Sequence, residues 1–207
     1  MSADSYRTVQ RRAEARIEVR RSVFCATVAP VADEADARAL VEEARRSHHD
    51  ARHHCSAFVL GPDARVERSN DDGEPAGTAG APMLEVLRGA GLSDVAVVVT
   101  RWFGGTLLGA GGLVRAYGDS VREVLPLAGV RTRELVRIAE VVVDVGDAGR
   151  VEAGLRGRGA AVGPVRWAEQ VHLEVGVSAD QAEDLAGWVA SLTRGTGRVH
   201  PSGTRWS

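Results

Sequence analysis

Apolar positions recur with a period close to two through Ile17, Val19, Val23, Cys25, Thr27, Val28 and Val31, which predicts a strand within 17–31. The period then lengthens. Ala37, Leu40, Val41 and Ala44 lie three and four residues apart behind Asp33, whose short carboxylate suits a helix cap, so a helix is expected to about Ser47. Residues 55–60 and 65–69 read as strands on either side of a turn at Gly61, Pro62 and Asp63. Asn70 to Pro82 is a loop rich in Asp, Gly and Pro that feeds a helix, with Pro82 in the first turn and Met83, Leu84, Val86 and Leu87 on the buried side. Val95–Thr100 is a run of mostly β-branched side chains, expected in a strand buried on both faces. A glycine-rich segment, Gly104–Gly112, follows it, and Leu113, Tyr117, Val121 and Val124 then repeat at helical spacing up to Pro126.

From about residue 136 the pattern reads strand 138–145, helix 147–157, strands 160–167 and 170–177, helix 179–193 and a short strand near 196–200. That βαββαβ order predicts a ferredoxin-like domain. Two domains are therefore expected, 1–130 and 136–205, joined by a polar linker over Leu127–Val136, with no sequence repeat between them. Trp167, Trp188 and Trp206 are expected in or on the second of them.

Composition changes this picture little. The 207 residues are 44% apolar and 26% charged, with net charge −2, an ordinary globular balance without the positive excess of a domain coated on nucleic acid. Any RNA contact must come from a local patch. All 26 cationic side chains are Arg, so each cationic contact would be a planar guanidinium with several donors. Two cysteines, Cys25 and Cys55, make no secreted disulfide scaffold, and Met1–Glu18 is polar and Arg-rich. With no apolar run of spanning length, a cytoplasmic location without membrane contact is expected.

Three segments carry candidate chemistry. In the loop that holds Asp71, Asp72, Gly73, Glu74 and Thr78, three carboxylates in four positions suit a hard cation or acid–base work, while the glycines and the helix start behind them suit a phosphate; a rigid surface loop is the plainer alternative. In the second, a buried strand ending at Arg101 and Trp102 runs through Gly104, Gly105, Gly109, Gly111 and Gly112 into a helix that bears Arg115. This is a candidate cradle for an anion or nucleic acid, with Trp102 free to stack on a base; close helix–sheet packing explains the glycines equally well. It lacks the Lys-Ser/Thr pair of a phosphate-binding P-loop and the third glycine of a dinucleotide fingerprint. In the third, His48, His49, His53, His54 and Cys55 crowd eight residues, but no second spaced pair of ligands accompanies them; a helix end followed by a strand start is preferred to zinc or a Cys55–His53 nucleophile pair. No catalytic residue, metal or cofactor is assigned.

Taken together, Asp71–Gly80, Val99–Gly105 and Leu108–Tyr117, with Arg21-Ser22-Val23-Phe24 and His53–Phe58 ahead of them, closely resemble the signature of the YigZ/IMPACT family over about 20–125. The resemblance implies an α+β protein: an N-terminal β/α sandwich like domain 2 of ribosomal protein S5, also seen in domain four of elongation factor G, and a C-terminal ferredoxin-like domain like that factor's fifth. It also implies a link to translational control, known for eukaryotic relatives through a regulator of an initiation-factor kinase. Where many members carry Lys after the paired glycines, this chain has Leu107, and His54 replaces a more usual Asn. The preferred reading is a translation-associated binding protein that contacts RNA or the ribosome through the glycine-rich edge. A protein adaptor without nucleic acid stands second, and a hydrolase-like enzyme using loop 71–74 with His53 or Cys55 stands third.

Overall fold

The computed structural model describes residues 4–207. Met1, Ser2 and Ala3, part of the polar leading segment, lie outside the described residues. Two compact units are present, one ending at Thr132 and the other spanning Arg133–Ser207. The expected linker over Leu127–Val136 is instead regular structure: Leu127 and Ala128 finish a helix, and Val130 opens a 14-residue strand. Its charged residues fit the solvent-facing side of a strand, so polar composition alone does not make a segment irregular.

The first unit runs β1 (Ser5–Val9), β2 (Ala13–Val19), β3 (Ser22–Pro30), α1 (Glu34–Ser47), β4 (His53–Leu60), β5 (Val66–Asn70), α2 (Gly80–Gly89), β6 (Val95–Trp102) and α3 (Ala110–Ala128). Its sheet has the order β2-β3-β6-β4-β5, with every neighbouring pair antiparallel. The alternation expected to give one strand over 17–31 is a hairpin, turned by Arg20 and Arg21 in the left-handed region (φ 49° and 68°). Asn-Gly or Asp-Gly usually announces such a turn, and neither is present here.

Period-two alternation in β6 sends Val95, Val97 and Val99 to one face of the sheet. There they pack with Phe24, Val28, Met83, Leu87, Tyr117 and Val121 beneath α2 and α3. Ala96 and Val98 face the other way, toward Ala37, Leu40 and Ala44 of α1. The strand is thus buried on both sides, as its β-branched run predicts. Asp33 caps α1, its carboxylate accepting from the Asp36 amide at 2.9 Å.

In the second unit the order is β7 (Val130–Val143), a 3₁₀ turn (Val145–Asp147), α4 (Ala148–Arg156), β8 (Ala161–Trp167), β9 (Val171–Val177), α5 (Ala179–Ala182), α6 (Leu185–Thr193) and β10 (Arg198–Trp206). Strands in the order β10-β7-β9-β8, all antiparallel, make this the expected ferredoxin-like sheet. Val141, Val143, Leu173 and Val175 pack with Val151, Leu155, Leu185 and Val189 of the helices. The helix expected over 179–193 breaks at Glu183 and Asp184. Trp188 packs against the core, whereas Trp167 stands 64% exposed on β8. No helix among the described residues is long and apolar enough to cross a membrane.

Candidate functional site

The acidic loop between β5 and α2 is folded around its own carboxylates. Asp71 accepts from the Gly77 amide at 2.7 Å through one oxygen, and from Ala79 and Gly80 at 3.0 and 2.8 Å through the other. It therefore closes the N-terminus of α2, whose flanking residue Ala79 offers no capping side chain. Partial burial works against ionisation of Asp71, but the three amide donors outweigh it and hold the carboxyl below its ordinary value. Asp72, in the left-handed region at φ 43°, accepts from the His54 amide at 2.7 Å and pairs with Arg45. Its backbone carbonyl accepts from His53 Nδ1 at 2.9 Å, which places the proton of a neutral His53 on that nitrogen. The Thr78 hydroxyl donates to the Pro75 carbonyl at 2.6 Å.

Glu74 turns inward. It accepts from Arg101 at 2.6 Å and from the Tyr117 hydroxyl at 2.8 Å, and the Arg101 and Glu74 side chains are 7% and 4% exposed. Arg101 Nε is the one buried side-chain polar atom among the described residues without a hydrogen-bond partner. Its guanidinium lies instead near two aromatic rings, 5.4 Å from the centre of Phe24 and 5.8 Å from that of Phe103. Phe24 in turn meets Tyr117 edge-on at 5.2 Å. The Cys55 thiol points at the Asp71 carbonyl (3.0 Å) and the Tyr117 hydroxyl (3.3 Å). Burial pushes this thiol up to about 12, so Cys55 is an inert core group rather than a nucleophile.

Arg101 and Trp102, adjacent in sequence, part company. Alternation at the end of β6 places Arg101 on the α2–α3 side, paired across the strands with His53. Trp102 lies on the α1 side, donating from Nε1 to Asp50 at 2.9 Å and meeting His48 edge-on. Arg101 is therefore a buried member of an ion pair and not a surface cation, and Trp102 does not share its cavity.

What faces solvent is the glycine-rich edge. Arg52, His53, Glu74, Pro75, Arg101, Phe103 and residues 107–110 and 113 line a cavity of about 430 Å³. The acidic and glycine-rich loops thus meet across one cleft, with the acids directed into the protein. Gly109, at φ 71°, leads into α3 with no side-chain cap, and no acid sits in the first turn, so the amides around Ala110, Gly111 and Gly112 are open to an anion. Phe103 (51%) and Leu107 (82%) stand exposed beside them, with Arg52 and Arg115 also exposed. Arg21, at the hairpin turn, reaches the Thr106 hydroxyl at 3.4 Å. Gly105, at φ 82°, takes the left-handed bend in this loop. Arg21, Phe103 and Tyr117 fall within the family-like segments of the sequence, but neither they nor Arg52 stand among the candidate binding residues read from it. Helical spacing puts Tyr117 on the buried stripe, but the partner of its hydroxyl and the exposure of Phe103 depend on tertiary contacts that local periodicity does not report.

Gly104 fixes this edge to the β2–β3 hairpin. Its amide donates to Ser22 Oγ at 3.1 Å, and a Cβ there would fall 2.0 Å from the Arg21 carbonyl carbon. Gly104→Ala must displace the turn and is expected to cost about 2 kcal/mol in urea unfolding, within the usual range for overpacking.

The histidine cluster disperses. His53 binds the acidic loop, His54 lies 3.1 Å from Thr100 Oγ1 on the other face, and Cys55 is in the core. Burial, with Arg45, His48 and His53 nearby, lowers the basicity of His54 despite the opposing pull of Asp72.

Residues 20–125 match the family model described as the Impact N-terminal domain. Over 191 residues the chain is 40% identical to the IMPACT family member YvyE of Bacillus subtilis (strain 168), covering 92% of this chain and 88% of that protein. It is 48% identical over 110 residues to the IMPACT family member YigZ of Escherichia coli (strain K12), a match that covers 52% and 54% of the two chains. A solved crystal structure described as that of a hypothetical protein superposes with a TM-score of 0.70 at 32% identity, over 97% of this chain and 98% of that one.

Proposed function

The chain belongs to the IMPACT family, and we propose that it is a translation-associated binding protein whose glycine-rich edge docks RNA, free or on the ribosome. The observation that carries this reading is the open N-terminus of α3, uncapped and without an acid in its first turn, beside exposed Phe103 and Leu107. Backbone amides there suit a phosphate, Phe103 offers a face for a base, and Arg21, Arg52 and Arg115 supply guanidinium groups. A hydrolytic reading finds less support. All three loop carboxylates already accept two or more hydrogen bonds or ion pairs from the protein, so none is poised as a general base.

Fluorescence anisotropy with a labelled single-stranded RNA tests the proposal. Three guanidinium–phosphate contacts predict a slope of about −2 in log K against log salt, hence roughly a 15- to 20-fold loss of affinity between 50 and 200 mM. Arg115→Ala should make the slope shallower by about 0.7 and leave thermal stability within about 0.5 kcal/mol, since the side chain is exposed. Affinity unchanged across that salt range sinks the electrostatic contact.

A further inference from the structure

On the opposite face of the sheet from Arg101 and Glu74, three residues distant in sequence converge: Glu14 of β2, Cys25 of β3 and His48 at the C-terminal cap of α1. Their donor atoms all lie within 4.8 Å of one another. We propose that Glu14, Cys25 and His48 form a binding site for a borderline-soft divalent cation of the Zn²⁺ class, tying the end of α1 to the β2–β3 hairpin.

The donor set is the first argument. A thiolate, an imidazole and a carboxylate are the ligands tetrahedral Zn²⁺ takes, and three of them leave one position for water. With metal–ligand bonds of about 2.0–2.3 Å, donors of a tetrahedral site stand about 3.3–3.8 Å apart, so no pair needs to close by more than about 1.5 Å. The fixed ligand is Cys25, 1% exposed in the sheet. The two that move are at the surface: Glu14 is exposed and His48 half-buried.

The surroundings orient these ligands. His48 closes α1, its amide donating to the Ala44 carbonyl, and its ring rests edge-on against Trp102 at 5.1 Å. Trp102 is itself held by Asp50 through Nε1, so a rigid indole sets the plane of the imidazole. Across the strands from Cys25 stands Arg16, which lies 3.5 Å from Glu14. Arg16 is more than half exposed, so the cation replaces a loosely held guanidinium beside Glu14. Binding releases the Cys25 proton to solvent as the thiolate forms. His49, His53, His54 and Cys55, the neighbours in sequence that look most like ligands, do not belong to this group.

Titration of the chelator-stripped full chain with Co²⁺ tests the site. One equivalent should bind and develop a thiolate-to-cobalt charge-transfer band, which Zn²⁺ abolishes. Cys25→Ser should lose the band and Cys55→Ser should keep it. His48→Ala removes a half-buried ring at the end of α1 and should weaken binding by at least about 100-fold, the upper end of what loss of an outer-shell partner costs. Absence of the band in the unsubstituted protein, its survival in Cys25→Ser, or unchanged affinity in a folded His48→Ala each overturns the proposal.

Discussion

Arg101→Met is expected to lower the stability of the N-terminal unit by about 3–5 kcal/mol in urea unfolding, a large part of the roughly 5–15 kcal/mol that a domain has. The reason is the charge it leaves behind. Glu74 is buried, and without Arg101 only the Tyr117 hydroxyl among the described residues donates to it. Such a carboxylate must either stay ionised in a poor environment or take up a proton. Adding Glu74→Gln removes that charge while keeping an acceptor for Tyr117, so the double variant should recover at least half of the loss. Simple additivity of the two losses would mean that the residues are not coupled. Arg101→Ala is consequently a poor probe of RNA contact, because lost binding in it would report lost structure.

The second large effect is expected at Asp71. One carboxylate satisfies three amides that would otherwise be orphaned at the start of α2. Hydrogen bonds to an ionised group are each worth about 1.5–3 kcal/mol, and they are not additive, so Asp71→Ala should cost about 3 kcal/mol. The effect depends on pH with a defined sign. The folded value of Asp71 lies below its unfolded value near 3.8, so the unfolded chain binds the extra proton as acid is added. This contribution is complete above about pH 5 and disappears as pH falls through the folded value. Stability curves of the original protein and Asp71→Ala should therefore converge on acidification below pH 4, and a constant gap between them would refute this role.

Much of the scaffold is legible in the residue pattern because its elements obey one period each. The run Val95–Thr100 is a strand buried on both faces, and Ala37, Leu40 and Ala44 are the buried stripe of α1. The hairpin at Arg20 and Arg21 is not legible, since arginine carries no sign of positive φ. The site is harder still. Adjacency in the chain makes Arg101 and Trp102 look like one patch, whereas strand alternation sends them to opposite faces. Three clustered carboxylates look reactive, yet Asp71, Asp72 and Glu74 each find donors from a different element. Long-range pairing decides both, and no local period encodes it.

Ultraviolet cross-linking of the protein to uridine-containing RNA, followed by mass mapping of the modified peptides, bears most directly on the proposed binding edge. Cross-links concentrated on Phe103–Ala110, and lost with Phe103→Ala in a folded protein, are the expected result. Cross-links confined to other surfaces, or none where ribosomes still co-sediment after nuclease treatment, would contradict it and point to protein partners.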